Sequence, residues 1–209
     1  MSLTYDRIAG TSIERLAALS DGVFAVAMTL LVLDLRVPAT ESVHGELGLR
    51  HALIVLSPRL LMYMMSFLTL GIFWVGQQTQ LNHLSRSERS LSWIHIGFLF
   101  MVSITPFSTR LLAEFPKYRF ALVTYWLNIL LLGCALYISW VCAKNTGLLK
   151  NEVSAELISA IERRIVVAQM LYALGALLCV FSNYLSIAFI VLVQLNYAIA
   201  PRFMRPRDS

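Results

Sequence analysis

Long apolar blocks separated by short charged segments dominate the chain. Six of them meet the length needed to cross a hydrocarbon core of ~30 Å, for which ~20 apolar residues suffice. They cover roughly 14–37, 51–76, 90–112, 119–143, 157–181 and 184–200, the last being the shortest. The breaks at 38–48, 77–89, 114–117, 144–156 and around Asn183 carry the Pro, Gly, Asn and charged residues of turns and interfaces. The pattern predicts an all-α, polytopic membrane protein: one six-helix transmembrane domain over 1–209. Pro58 and Pro106 fall inside or near the ends of spans two and three, where a missing N–H marks a bend toward the far leaflet unless neighbours compensate.

Composition agrees. Of 209 residues, 58% are hydrophobic and only 14% charged, and mean hydropathy is +0.70, more apolar surface than a water-soluble exterior tolerates. The formal net charge of +5 raises nucleic acid as a partner. The basic residues, however, are scattered through loops and a short tail rather than gathered on one face, and that partner is rejected. The same charges set an orientation. With the N-terminus inside, Arg7, Arg15, Arg86, Arg89, Lys144, Lys150, Arg163, Arg164, Arg202, Arg205 and Arg207 are cytoplasmic, and only Arg36, Arg50, Arg59, Arg110, Lys117 and Arg119 lie outside. Both termini are expected in the cytoplasm, the protein itself in the cell membrane. Cys134, Cys142 and Cys179 show no paired spacing, so neither a disulfide framework nor a zinc site follows. The first dozen residues lack the apolar core of a cleavable signal, and the first span is expected to serve as the targeting element.

The most informative stretch is the first span, where Ser20 and Asp21 enter an otherwise apolar helix. An ionisable residue at that depth is costly unless protein or water solvates it, which makes it a functional candidate. Arg15-Leu-Ala-Ala-Leu-Ser20-Asp21, continuing Gly-Val-Phe-Ala-Val-Ala-Met-Thr-Leu-Leu, resembles the R-x-x-x-F-S-D signature of the transmembrane protein 175 family, the endolysosomal potassium channel and its prokaryotic relatives. Gly71-Ile-Phe-Trp74, Thr105-Pro-Phe-Ser-Thr109 and Glu114-Phe-Pro116 look like further recurring pieces. The likeness covers the first three spans well and the last three by hydropathy alone. Leu19 stands where the signature has Phe, and Gln77-Gln78 stand where histidines are expected.

The resemblance implies a prokaryotic homotetramer of six-helix chains that conducts potassium along an axis lined by the first helix. It also implies no TVGYG loop, and the sequence has none, so side chains and a narrow or dewetting constriction must replace the usual carbonyl filter. At ~100° per residue, Gly22, Val26, Thr29, Leu30, Leu33 and Val37 share one stripe, with Asp21 well off it. Periodicity alone cannot choose this face, because nearly every residue in the helix is apolar; lipid-facing or core positions read the same way. Carried over by offset from the Ser-Asp pair, the family's pore face selects this stripe. Val26, Leu30 and Leu33 would then form apolar rings and Thr29 would supply hydroxyl oxygens.

Arg15, Ser20 and Asp21 are expected to lock the first helix to its neighbours. Arg15 and Asp21 are six positions apart and share no helical face, so their partners must come from elsewhere. Trp74, Trp93 and His95 are candidates with donor groups, although His95 also reads as a satisfied core histidine and the tryptophans as interface aromatics. Asp34 could ring a pore mouth or pair with Arg36 or Arg59. Glu152, Glu156, Glu162 and Arg163-Arg164 read as a solvated helix start.

A potassium-permeable channel is the expected function. The alternative is a small secondary transporter using Asp21 as a proton or ion site, against which stands the absence of an internal repeat. No P-loop, H-E-x-x-H pair or nucleophile–base set supports an enzyme. The expected partners are further copies of the chain, membrane lipid and potassium ions, with no cofactor or metal beyond permeating potassium.

Overall fold

The computed structural model describes residues 12–40 and 43–199. Six helices follow one another: α1 Ile13–Leu30, α2 Gly45–Asn82, α3 Arg89–Glu114, α4 Arg119–Asn145, α5 Ala155–Leu177 and α6 Asn183–Ile199. Tight 3-10 turns extend α1 over Leu31–Asp34 and α5 over Leu178–Val180. Five of these segments are long and apolar enough to span a membrane, and the chain is a multi-pass membrane protein. The sixth, α6, has 17 residues, about 26 Å at 1.5 Å per residue. It falls short of the length criterion, yet it runs back along α5. Ser186 Oγ donates to the Gly175 carbonyl at 2.6 Å, and Tyr197 returns to the level of Arg164. Gly175 permits the crossing, since a Cβ there would lie 2.9 Å from Ile190.

Two boundaries depart from expectation. The first span ends at Asp34 and not at Val37: Leu35 already leaves the helical region at φ −85° and ψ 80°, and Pro38 disfavours a return to helix at Val37. Val37 therefore lies beyond the helix. The second span is far longer than 51–76: α2 has 38 residues, about 57 Å, and its buried positions begin only at Met62. Pro58 and Pro106 both sit inside unbroken helices. One residue before Val102, whose carbonyl Pro106 deprives of its donor, Asn128 Nδ2 donates to the Met101 carbonyl at 3.0 Å.

The core lies along α4. Its buried residues Leu122, Tyr125, Ile129, Leu132, Leu136, Ser139, Trp140 and Ala143 recur at helical spacing and face α2, α3 and α5. At one end the connections 83–88 and 146–154 clip together: Ser85 N donates to Leu148 O at 2.8 Å and Lys150 N to His83 O at 2.9 Å. Lys144 and Glu162 add an ion pair of 2.9 Å at this clipped end. Ser154 caps α5 there by accepting from Leu157 N at 3.2 Å, so the acidic cluster does begin a helix, with Glu162 drawn into the pair.

Candidate functional site

α1 has two unlike faces. Leu16, Ser20, Phe24 and Ala27 are buried and Leu31 continues the row, with the Phe24 ring 5.9 Å from that of Phe98 on α3. Away from this row, Gly22, Val26, Thr29, Leu30 and Leu33 are all exposed on the single chain, Val26 at 58% and Leu33 at 69%. Because a 3-10 turn eclipses positions i and i+3, Leu33 stands over Leu30 on that stripe. A shallow apolar groove of about 490 Å³ runs beside it, lined among others by Leu19, Gly22, Val26, Leu30 and Ser103 of α3. Thr29 Oγ1 donates back to the Ala25 and Val26 carbonyls at 3.0 and 2.9 Å. Its proton is thereby spent inside the helix, and its lone pairs face outward.

Ser20 and Asp21 hold the opposite side. Asp21 Oδ1 accepts from Trp74 Nε1 and from Gln78 Nε2, both at 2.8 Å. Ser20 Oγ donates to Leu16 O at 2.8 Å and accepts from Gln77 Nε2 at 2.9 Å. The other Gln77 proton points to His95 Nδ1 at 3.2 Å, and His95 Nε2 lies 3.1 Å from Ser139 Oγ on α4. With Nδ1 accepting, the imidazole proton sits on Nε2 and serves Ser139. One hydrogen-bonded chain, with Gln77 donating to both sides, thus joins α1, α2, α3 and α4, so His95 supports Ser20 through Gln77 and does not reach Asp21. Gln77 Oε1 is buried without a donor.

Other expected contacts are absent among the described residues. Trp93 is 62% exposed and joins no hydrogen bond among the described residues, because it lies two residues from His95 and so about 200° around α3. The Arg15 guanidinium is exposed and unpaired among the described residues. Asp34 pairs with Arg110 of α3 at 3.7 Å rather than with Arg36 or Arg59. Arg59 instead takes Glu114 at 2.9 Å. The three cysteines are free.

Sequence reasoning missed a second buried polar layer. Thr109 Oγ1 donates to Ser66 at 2.7 Å, Ser66 Oγ to Tyr125 Oη at 3.3 Å, and Tyr125 Oη meets Thr69 Oγ1 at 2.9 Å. Gln194 Nε2 of α6 then donates to Thr69 at 2.7 Å. Thr105 Oγ1 donates to Asn128 Oδ1 at 2.9 Å. The available signal was the spacing of Ser66, Thr69, Phe73, Gln77 and Gln80, a partly polar row on one face of α2.

Known proteins are similar to this chain in sequence and fold. Residues 15–106 match the family model described as the endosomal/lysosomal potassium channel TMEM175. A potassium channel of Streptomyces collinus is 33% identical over 88% of this chain and 90% of its own length, and a potassium channel of Chamaesiphon minutus is 29% identical over 88% and 93%. The human endosomal/lysosomal proton channel TMEM175 is 31% identical over 50% of this chain but only 22% of its own. The crystal structure of a lysosomal potassium-selective channel TMEM175 homologue from Chamaesiphon minutus superposes with a TM-score of 0.78 at 28% identity, covering 89% of this chain and 96% of that one. These relatives are ion channels and not enzymes. A shared signature segment, a shared fold and near-full-length similarity agree: the chain belongs to the TMEM175 family.

Proposed function

We propose that the chain conducts potassium passively through a pore built from four copies of itself, with α1 of each copy at the axis. The observation that carries this reading is the bare stripe of Val26, Thr29, Leu30 and Leu33, exposed on a helix whose opposite side is packed and hydrogen-bonded. A single helix cannot enclose a path for ions, whereas closed rotational symmetry brings equivalent helices around one axis. Apolar rings at Val26, Leu30 and Leu33 offer water no partners and act as a dewetting constriction, and Thr29 supplies oxygens beside it. Asp21, turned away from the stripe and engaged by Trp74 and Gln78, is a packing group. The same positions read as a transporter would make Asp21 the coupling site, but its ligands are neutral donors from its own subunit. Both termini are assigned to the cytoplasm of a prokaryotic cell, with Asp34 and Arg110 toward the outside.

The test joins assembly to flux. A single cysteine at Leu30, in a background lacking the native three, is expected to cross-link subunits up to a tetramer. In liposomes the parent should pass potassium until the Nernst potential is reached. A monomer with Leu30 open to lipid, or flux obligatorily coupled to a proton gradient, overturns the reading.

A further inference from the structure

Away from α1, a cavity opens between α2, α4, α5 and α6 near the clipped end of the bundle. Gln80, Leu136, Ile165, Gln169 and Tyr172 line it, and Arg164 stands at its mouth. Its free volume of about 80 Å³ exceeds several times the 10–15 Å³ that one water needs. Three of its polar atoms are buried with no partner among the described residues: Gln80 Oε1, Gln169 Oε1 and Tyr172 Oη. Gln80 is 2% exposed and Tyr172 1%. Buried oxygens left without donors cost stability unless something supplies them, and three converging on one space point to an occupant with hydrogens to give.

The surroundings narrow that occupant. The Arg164 guanidinium lies 5.9 Å over the Tyr197 ring and pairs with no carboxylate among the described residues. It repels a cation and favours an anion at the mouth. Ile165 and Gln169 also form the wall of a second space, an apolar groove of about 370 Å³ on the outer side of α4 and α5 lined by Leu130, Tyr137, Ile138 and Met170. Gly133 makes this wall possible, since a Cβ there would overlap the Gln169 amide. An anion-binding mouth, donor-seeking oxygens within and an adjoining apolar groove together match an amphiphile. Basic pockets between membrane helices hold anionic lipid heads by this chemistry.

We propose that this cavity binds the phosphoglycerol head of an anionic phospholipid, with the phosphate on Arg164, its two head hydroxyls donating to Tyr172 and to Gln80 or Gln169, and an acyl chain in the α4–α5 groove. Gln169 lies five residues past Arg164, about 7.5 Å along α5, a span that a glycerol head bridges. Water alone would satisfy the oxygens but leaves both the guanidinium and the groove unused.

Native mass spectrometry of the purified protein with equimolar phosphatidylglycerol, phosphatidic acid and phosphatidylcholine tests the site. Phosphatidylglycerol should be retained about fivefold over phosphatidylcholine, the preference one basic contact supplies, and phosphatidic acid, which has the phosphate without the glycerol hydroxyls, should fall between. Arg164→Gln should abolish the preference and Arg163→Gln, one residue away and outside the cavity, should keep it. Tyr172→Phe should reduce phosphatidylglycerol to the phosphatidic acid level while leaving thermal stability unchanged or raised, because it removes an unpaired hydroxyl. Equal retention of all three lipids, or equal loss in the Arg163 and Arg164 variants, overturns the proposal. So does displacement of the lipid by excess inorganic phosphate, which would identify a free anion as the ligand.

Discussion

α1 and α4 are both long apolar helices, yet the fold uses them differently. In the most apolar stretch of α4, 44% of residues are buried within the single chain; in α1, 28% are. α4 is enclosed by its own subunit: Tyr125, Asn128, Leu132, Leu136 and Ser139 meet α2, α3 and α5, and the polar atoms of Tyr125, Asn128 and Ser139 find partners there. α1 completes only one side with its own chain and leaves Val26, Leu30 and Leu33 uncovered. Hydropathy cannot separate the two, since lipid and protein interior are equally apolar solvents. What separates them is where the polar atoms are spent. On α4 they tie the subunit together, whereas on α1 they anchor one side and free the other.

The largest expected effect therefore lies in α4. Tyr125→Ala removes a ring that is fully buried and hydrogen-bonded to Ser66 and Thr69, and should cost about 3–5 kcal/mol by cavity formation. Thermal unfolding followed by size-exclusion chromatography measures it, and a stable, monodisperse variant would mean that α4 is not the keystone of the subunit. Tyr125→Phe keeps the ring and should cost only about 1 kcal/mol.

The anchored side of α1 ranks next. Asp21→Asn replaces two charge-assisted hydrogen bonds from Trp74 and Gln78 with neutral ones of roughly half the strength, a loss of about 1–2 kcal/mol. Assembly or thermal stability should fall while the potassium reversal potential stays where it was. An intact assembly with strongly altered selectivity would move Asp21 from packing to permeation and dissolve the contrast between the two sides of α1.

Substitutions on the bare side should change flux more than stability. Leu30→Ser eases hydration of the apolar ring and should raise basal potassium flux about three- to tenfold, an effect of up to ~1.4 kcal/mol. Thr29→Val removes the outward oxygen and should lower flux by a similar factor. Both comparisons are made in liposomes at matched protein content. If both variants conduct and select like the parent, α1 does not line the path.

The helices were legible because each apolar block is long and its punctuation strong: Asn82, Glu114 and Asn145 end helices within a few residues of the expected breaks. The extra length of α2 was not, since 45–50 carries Glu46 and Arg50 and 77–82 is largely polar, so both ends read as connections beyond a span of 51–76. Pro38 told that α1 could not pass Val37, but not that its 3-10 turn ends three residues earlier, at Asp34. At the site, the Ser20-Asp21 pair was visible as polarity within an apolar run. Its partners were not, because spacing places residues on a face of one helix and says nothing of the register between helices. Register decides that Gln77 and Gln78, neighbours in sequence, serve Ser20 and Asp21 separately. It also decides that Arg110 takes Asp34 while Arg59 takes Glu114.

The smallest expected effect gives the sharpest comparison. Leu30 of α1 is 44% exposed on the single chain and Leu127 of α4 is 45% exposed. The residue type is the same, and so is the area left open by the subunit. If lipid covers both, Leu30→Ala and Leu127→Ala should be indistinguishable, each within about 0.5 kcal/mol of the parent as surface changes are. If Leu30 instead meets its copies at the axis, truncation thins a ring of side chains, and the variant should leak potassium severalfold faster while Leu127→Ala stays silent. Flux from liposomes and the melting temperature of the assembly are read for both. Equal behaviour of the two alanine variants would mean that the uncovered face of α1 is an ordinary lipid-facing surface, whatever the rest of the helix is tied to.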